Sequence, residues 1–509
     1  MAGAASARAP AISPEGRRVL WLILIATTVR LATAALMGLG MDESYTTAIS
    51  RDLHLSYFDH PPLHQWIAHA AGEAFGYGRW VRLPFIALSA GSTWLMYRLT
   101  ARLFGRLAGA WAALALTLSV FFSLAAGSWV LPDGPLVFCE LGAALTLARL
   151  LFPQAGEAER PWTLWPGMAL WLGLAALSKY QAATVGLGMG LAVLLLPEGR
   201  RRLLHPAPYV SKLLLLAIIA PVIVWNAEHQ WISFTFQAGR GAAHRFDPLG
   251  LITALLAQAG LLTPWVAVPL VWAVVKAIRA REPRAIFLLL SAAPTLVLFN
   301  LLPLVGAKVL PHWPMPGWLL LFPLLGAALA GSFEAGRRWP SRWAWTSAIA
   351  LLLLWGVAAS DAATAWIKGA VPNLKTDPTA ESLDWRQLRT ELDRRGLLKP
   401  GILVVAVEWN EAGKIDQAVG DAAPVLVFNG DPREYAFREP SANFLHHDAL
   451  IIGRGPTVAQ ELKRIAPHFA SLTPLQGVTV GRGGKPEIEL TVIAAHDLTS
   501  PYPLPGWAK

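Results

Sequence analysis

Cysteine is almost missing: Cys139 is the single one among 509 residues. That excludes an intrachain disulfide and any metal site built from several cysteines. Charge is scarce as well. Asp, Glu, Lys and Arg make up 15% of the chain, against about 25% in soluble domains. There is no fixed-period repeat and no low-complexity tract, which argues against a solenoid or a long disordered tail. What the chain has instead is apolar sequence, 54% of it. Runs of about 20 apolar residues recur, the length that crosses a bilayer as a helix. The expectation is a polytopic α-helical membrane protein. The net charge of +10 does not imply nucleic acid, because the basic residues cluster between apolar runs as they do in cytoplasmic loops.

Residues 1–18 read as a cytosolic tail. The run after them, Val19–Leu39, is too long for a cleaved signal segment. Further spans are expected from Arg82 onward and over Leu107–Ala126, Pro135–Phe152, Leu164–Leu177, Ala182–Leu196 and Leu213–Trp225. Others follow over Leu249–Val275, Ala285–Leu304, Gly317–Ala330 and Trp343–Ala359. With about eleven spans, every basic cluster falls on one side. Residues 19–360 then form the membrane domain, with a first outer loop over 40–81. Residues 361–509 have ordinary soluble composition and lie outside. GILVVAVEW, APVLVFNG, DALIIGRG and GVTVGR in that segment read as strands. EAGKIDQAVG and TVAQELKRIAPHFASL read as helices, so the outer part is an α/β domain. GRGG at 481–484 lacks the strand–GxxxxGK–helix setting of a phosphate loop and reads as a hairpin turn.

The ionisable residues gather in the outer segments. The first loop holds Asp42, Glu43, Asp59, His60 and His64. Asp42 opens a short helix predicted to lie amphipathically on the membrane, and reads either as its N-cap or as a general base. Glu43 in the first turn complements the helix dipole. Asp59 and His60 precede a second short helix entered at Pro61. His60 and His64, spaced by four, are readable as metal ligands if the helix includes both, and otherwise as packed side chains. Asp133 sits in a Pro–Asp–Gly turn. Lys179 interrupts a hydrophobic hairpin, either snorkelling to the interface or binding an anionic headgroup. Arg240, Arg245 and His312 lie in further outer loops, and the two arginines carry the same ambiguity as Lys179. Arg30 falls inside the first span, where a charge is costly and needs a partner or a role.

Several stretches together carry a family resemblance: MDESYTTAISRDL with Asp42-Glu43, and Phe58-Asp59-His60-Pro61-Pro62-Leu63. VRLPFIALSAGSTWLMYRLTARLFG, LPDGPL, GLAALSKYQA, PVIVWNAEHQWISFTFQAGR and HWPMPGW follow in order, with EYAF after GDPR as a weaker match. The chain resembles the bacterial GT-C fold membrane glycosyltransferases of the protein O-mannosyltransferase-like superfamily. That group includes the aminoarabinose and galacturonic acid transferases that modify lipopolysaccharide. The aminoarabinose enzymes have Glu-Lys before the two prolines, where this chain has Asp59-His60.

The resemblance implies an inverting transferase at the cytoplasmic (inner) membrane, with its site and outer domain on the periplasmic side. It implies a polyprenyl-phosphate donor such as undecaprenyl phosphate sugar. The acceptor would be lipopolysaccharide (lipid A), another envelope glycan, or a protein. Asp42 is the expected base, with Glu43 as a second catalytic acid. His60, Lys179 and Arg240 are the expected phosphate contacts. Asp59, Asp133, His64, Arg245 and His312 support them, and a divalent metal ion on Glu43, Asp59 and His60 is a further expectation. The competing class is a transporter or flippase for a lipid-linked sugar. That class calls for ionisable groups and broken helices at mid-membrane in paired halves, whereas the polar residues here concentrate in the outer loops.

Overall fold

A computed structural model describes residues 12–240, 246–371, 377 and 379–506. The first helix, α1 (Pro14–Leu36), starts inside the expected tail because the Ser13 side chain accepts from the Gly16 N–H and caps it. Then come α2 (Met41–Ile49), α3 (Leu63–Phe75) and α4 (Leu83–Phe104). Among the described residues six helices are long and apolar enough to cross a membrane, or eight when two sharply bent pairs each count as one span. The six are α1, Asp133–Leu151, Ala207–Glu228, Pro283–Leu304, Met315–Glu334 and Trp339–Thr364. Helices also stand at the remaining expected spans, α4, Pro161–Ser178 and Ala182–Leu195, but these fall short in length or apolarity.

Two expected straight spans are broken. Arg106–Thr117 meets Phe121–Ser128 at 86°, and Pro248–Leu262 meets Pro264–Ala280 at 110°. The breaks touch: the Trp265 indole N–H donates to Leu118 O at 3.0 Å. This satisfies a carbonyl that the bend removes from its helix. Arg30 has a similar partner. Its Nε donates to Ser123 O (2.8 Å), inside a π-helical turn over Phe121–Ala125. A Cβ on Gly127 would lie 3.0 Å from Arg30 Nε and 2.7 Å from Phe122 O, so only glycine lets the arginine enter. The buried charge that the sequence exposed as unexplained therefore finds a backbone acceptor.

The C-terminal part, the expected outer domain, is built on a five-stranded sheet of order β2-β1-β3-β5-β4. The strands are β1 (Leu403–Ala406), β2 (Val425–Val427), β3 (Ala449–Arg454), β4 (Phe469–Arg482) and β5 (Lys485–Leu498). β1 pairs in parallel with β2 and β3, while β5 pairs antiparallel with β3 and β4. The helix expected over TVAQELKRIAPHFASL ends at Ile465, and its tail is already β4. Gly483 and Gly484, both at positive φ, make the two-residue hairpin turn read from GRGG, the conformation such turns favour. Side chains alternate across β1. Val404 and Ala406 face one core, Leu403 and Val405 the other.

The first of those cores is shared. Tyr45, Ile49 and Tyr57, from the first outer loop, pack with Leu388, Ile415 and Val492 of the outer domain. This overturns the expectation that α2 lies on the membrane with one face in water. All of α2 except Asp42 is buried, because the domain helix Trp409–Val419 lies directly on it. Gly413 makes the contact: a Cβ there would stand 2.4 Å from Tyr45 N. Beside it the buried Lys414 ammonium donates to Leu39 O and, at 2.8 Å, to Leu383 O.

Candidate functional site

Asp42 and Glu43 are neighbours in sequence with opposite situations. Gly40 caps α2, not Asp42. Glu43 reaches back to the Gly40 N–H (2.8 Å) and takes Arg82 Nε at 2.7 Å and the Val130 N–H at 3.1 Å. Arg82 also donates to Met37 O and Gly38 O. Burial opposes the Glu43 charge, but Arg82 and the two backbone N–H groups hold its pKa below the ordinary value. Glu43 is 2% exposed with both oxygens engaged. It staples the loop between α1 and α4, a different place from the catalytic one expected of it. Asp42, one residue earlier, is the exposed residue of α2. Surrounding protein raises its pKa, with Glu381, Asp59 and Glu43 adding to the rise and Arg433 opposing it. A carboxylate that is accessible and more basic than usual suits proton abstraction.

Two buried ion pairs stand near His60, and Asp42 lies within electrostatic reach of one of them, Arg433 with Asp59. Lys179, in the extended break between Pro161–Ser178 and Ala182–Leu195, bonds Asp133 at 2.7 Å. Asp133 is the first residue of its helix, where a negative charge meets the positive end of the dipole. The other pair crosses between domains. Arg433 donates to Asp59 Oδ2 at 2.8 Å, and Tyr45 OH donates to Asp59 Oδ1 at 3.0 Å. Gln237 holds the Asp59 carbonyl (2.7 Å).

His60 lies within electrostatic reach of Lys179, Arg240 and Arg433. Burial first, and then these cations, push its pKa down to about 3 against the pull of Asp133. His60, an expected phosphate contact, is therefore a neutral ring, and its buried Nδ1 has no partner among the described residues. The α3 helix begins only at Leu63, after both prolines, so His60 precedes it. His64 is buried with its ring 5.6 Å from that of His60. Burial and the neighbouring His60 hold His64 far below the usual histidine value. His312 stacks parallel on Phe121 at 6.5 Å. Burial and Lys179 lower its pKa to about 3. Arg240 ends the helix Ile232–Arg240. Its guanidinium sits 4.7 Å over the Trp313 ring and 5.7 Å over Phe236. Burial and Arg433 lower its pKa, with Asp59 and Asp42 opposing. Arg245 lies outside the described residues.

The expected metal set does not fit. Glu43 is committed to Arg82 and Asp59 to Arg433. Among the described residues no three His, Cys, Asp or Glu side chains converge to hold an ion.

Sequence reasoning missed what the outer domain contributes. GDPREYAF enters the site as a short 3₁₀ turn, Arg433–Phe437. The Arg433 guanidinium lies 3.9 Å over Trp409 and 5.2 Å over Phe236. Its φ of +51° is a left-handed conformation that costs a non-glycine residue about 1 kcal/mol. Glu434 accepts from the Phe58 N–H at 2.6 Å, and its own N–H donates to Tyr45 OH at 3.2 Å. Phe437 packs on Phe58 and Trp225. The one signal was the EYAF resemblance, which marks the turn but not its destination.

Residues 59–225 match the family described as dolichyl-phosphate-mannose-protein mannosyltransferase. Among curated proteins the chain is similar to the lipid A galacturonosyltransferase RgtD of Rhizobium johnstonii, 28% identical over 298 residues. That match covers 55% of this chain and 58% of the relative. Among solved structures it is similar to ArnT from Cupriavidus metallidurans. The apo form gives a TM-score of 0.64 at 18% identity, covering 95% of this chain and 98% of that one. ArnT bound to undecaprenyl phosphate gives 0.64 at 19% identity, over 96% and 100%. The chain therefore has the GT-C fold of the membrane glycosyltransferases, inclusive of the outer sheet domain.

Proposed function

We propose that this protein transfers a sugar from a polyprenyl-phosphate donor to an acceptor on the outer face of the cytoplasmic membrane. The observation that carries this is Asp42: an accessible carboxylate with a raised pKa, within electrostatic reach of Arg433 and Arg240. The names of the relatives support the same chemistry, a lipid A sugar transferase and a protein that holds undecaprenyl phosphate.

The acceptor hydroxyl oxygen attacks the anomeric carbon, and the bond from that carbon to the phosphate oxygen breaks. Asp42 takes the hydroxyl proton. The departing phosphate gains charge, which Lys179 and Arg240 stabilise from fixed positions. His60 offers a neutral ring nitrogen to the same group. One displacement inverts the anomeric centre. Asp133 holds Lys179 in place through their 2.7 Å ion pair, and Glu43 with Arg82 fixes the helix that presents Asp42.

The test is mass spectrometry of envelope lipids and glycans from a deletion strain complemented with wild type or Asp42→Asn. Loss of one sugar addition in the deletion, restored by wild type but not by the variant, is expected. An unchanged profile in the deletion strain overturns the reading.

A further inference from the structure

We propose that Arg433, carried by the outer domain, is a ligand of the phosphate of the lipid-linked substrate, acting with Arg240. The outer domain is then a working part of the site. This rests on the polyprenyl-phosphate reading above.

Two guanidinium groups of like charge flank one ring. Arg240 is 5.7 Å and Arg433 5.2 Å from the centre of Phe236. Trp313 backs the first at 4.7 Å and Trp409 the second at 3.9 Å. Like charges repel, so this approach is expected where an anion is to sit between them. Arg433 pairs with two carboxylates, Asp59 and, through Nε at 3.5 Å, the half-exposed Asp431, and that Nε makes no hydrogen bond. Arg240 has aromatic neighbours and no ion pair among the described residues. Asp59, 2.8 Å from Arg433 NH1, aims the guanidinium, and Asp431 reaches Nε only at 3.5 Å, so donors of the fork remain for an anion. The left-handed backbone at Arg433 is a further sign, since strain of this kind gathers at binding sites. His60, where a fixed cation would serve, lies within reach of Lys179, Arg240 and Arg433 and is itself neutral. The positive charge around it comes from those three residues, and one of them belongs to the other domain.

The test uses the full-length protein in detergent with undecaprenyl phosphate as probe, titrated over a range of salt concentrations. Arg433→Gln is expected to weaken binding about tenfold or more and to flatten the salt dependence. Arg438→Gln controls for docking, because Arg438 bonds Asp52 and Asp416 away from these side chains. Its binding is expected to stay close to wild type, because neither of its partners, Asp52 and Asp416, is shared with Arg433 or Arg240. Wild-type affinity in folded Arg433→Gln overturns the proposal, as does equal weakening by both variants. If Arg433→Gln does not fold, Arg433→Lys decides. An ammonium cannot reproduce the planar fork, so weaker binding with the wild-type salt dependence supports the assignment and full affinity overturns it. Failure of the wild type to bind the lipid overturns the function itself, a result distinct from failure of the variant alone.

Discussion

The site has two buried ion pairs, and they are built differently. Lys179 stands in the break between two helices and Asp133 opens another, all within the helical domain. Both are closed off, at 2% and 6% side-chain exposure. Arg433 and Asp59 come from parts of the chain far apart in sequence, and the arginine keeps 18% of its side chain exposed. It is held by stacking on Trp409 and by a strained backbone. The first pair is a fixture of the membrane domain. The second exists only while the outer domain is docked. The comparison teaches that half of this site is tertiary structure and half is an interface.

The comparison is broken most severely at Asp42, the proposed base. Asp42→Asn is expected to lower transfer by about 10²–10⁴-fold with unchanged protein in the membrane fraction, measured by product formation from lipid-linked donor. Activity near wild type would remove it as the base. Next is Lys179→Met, which leaves Asp133 buried without its partner. About 3–5 kcal/mol of stability should be lost, read as a fall in detergent unfolding temperature, and Asp133→Leu added to it should recover part. Arg433→Gln should cost less stability, because its site is more open. A larger loss there than at Lys179 would reverse the ranking of the two pairs.

A subtler effect concerns pH. Asp42 works as a base only when ionised, so the rate should rise with pH through a pKa above the ordinary carboxylate value. Arg433 lowers that pKa, and its removal should move this acid limb to higher pH. His60, with its pKa near about 3, should not titrate between roughly pH 5 and 8, so His60→Asn should leave the limb where it is. The smallest effect on the acid limb is expected from Arg438→Gln, whose partners Asp52 and the buried Asp416 are not among the groups that set the Asp42 pKa.

The membrane half of the site was legible in the sequence. Lys179 and Asp133 stand out because charge interrupts apolar runs there, and Asp42 because it follows a span. Sequence could not separate Asp42 from Glu43, since their difference is made by Arg82, thirty-nine positions away. It could not give the protonation of His60, which depends on burial first and then on three cations drawn from separate segments. It placed the helix over ESYTTAISRDLHL on the membrane because it could not see the helix that covers it. The broken spans escaped because apolar composition reads the same through a bend. Arg433 escaped because a loop in a soluble domain carries no mark of where it docks.

The approach of Gly413 to the Tyr45 backbone has a consequence for how such a protein can change over generations. With a Cβ only 2.4 Å from Tyr45 N, no side chain fits there without moving α2, and Asp42 with it. The outer domain cannot be traded for another as a module. A transplanted domain without that glycine would lift the base from its place, so the two parts are heritable only as a pair.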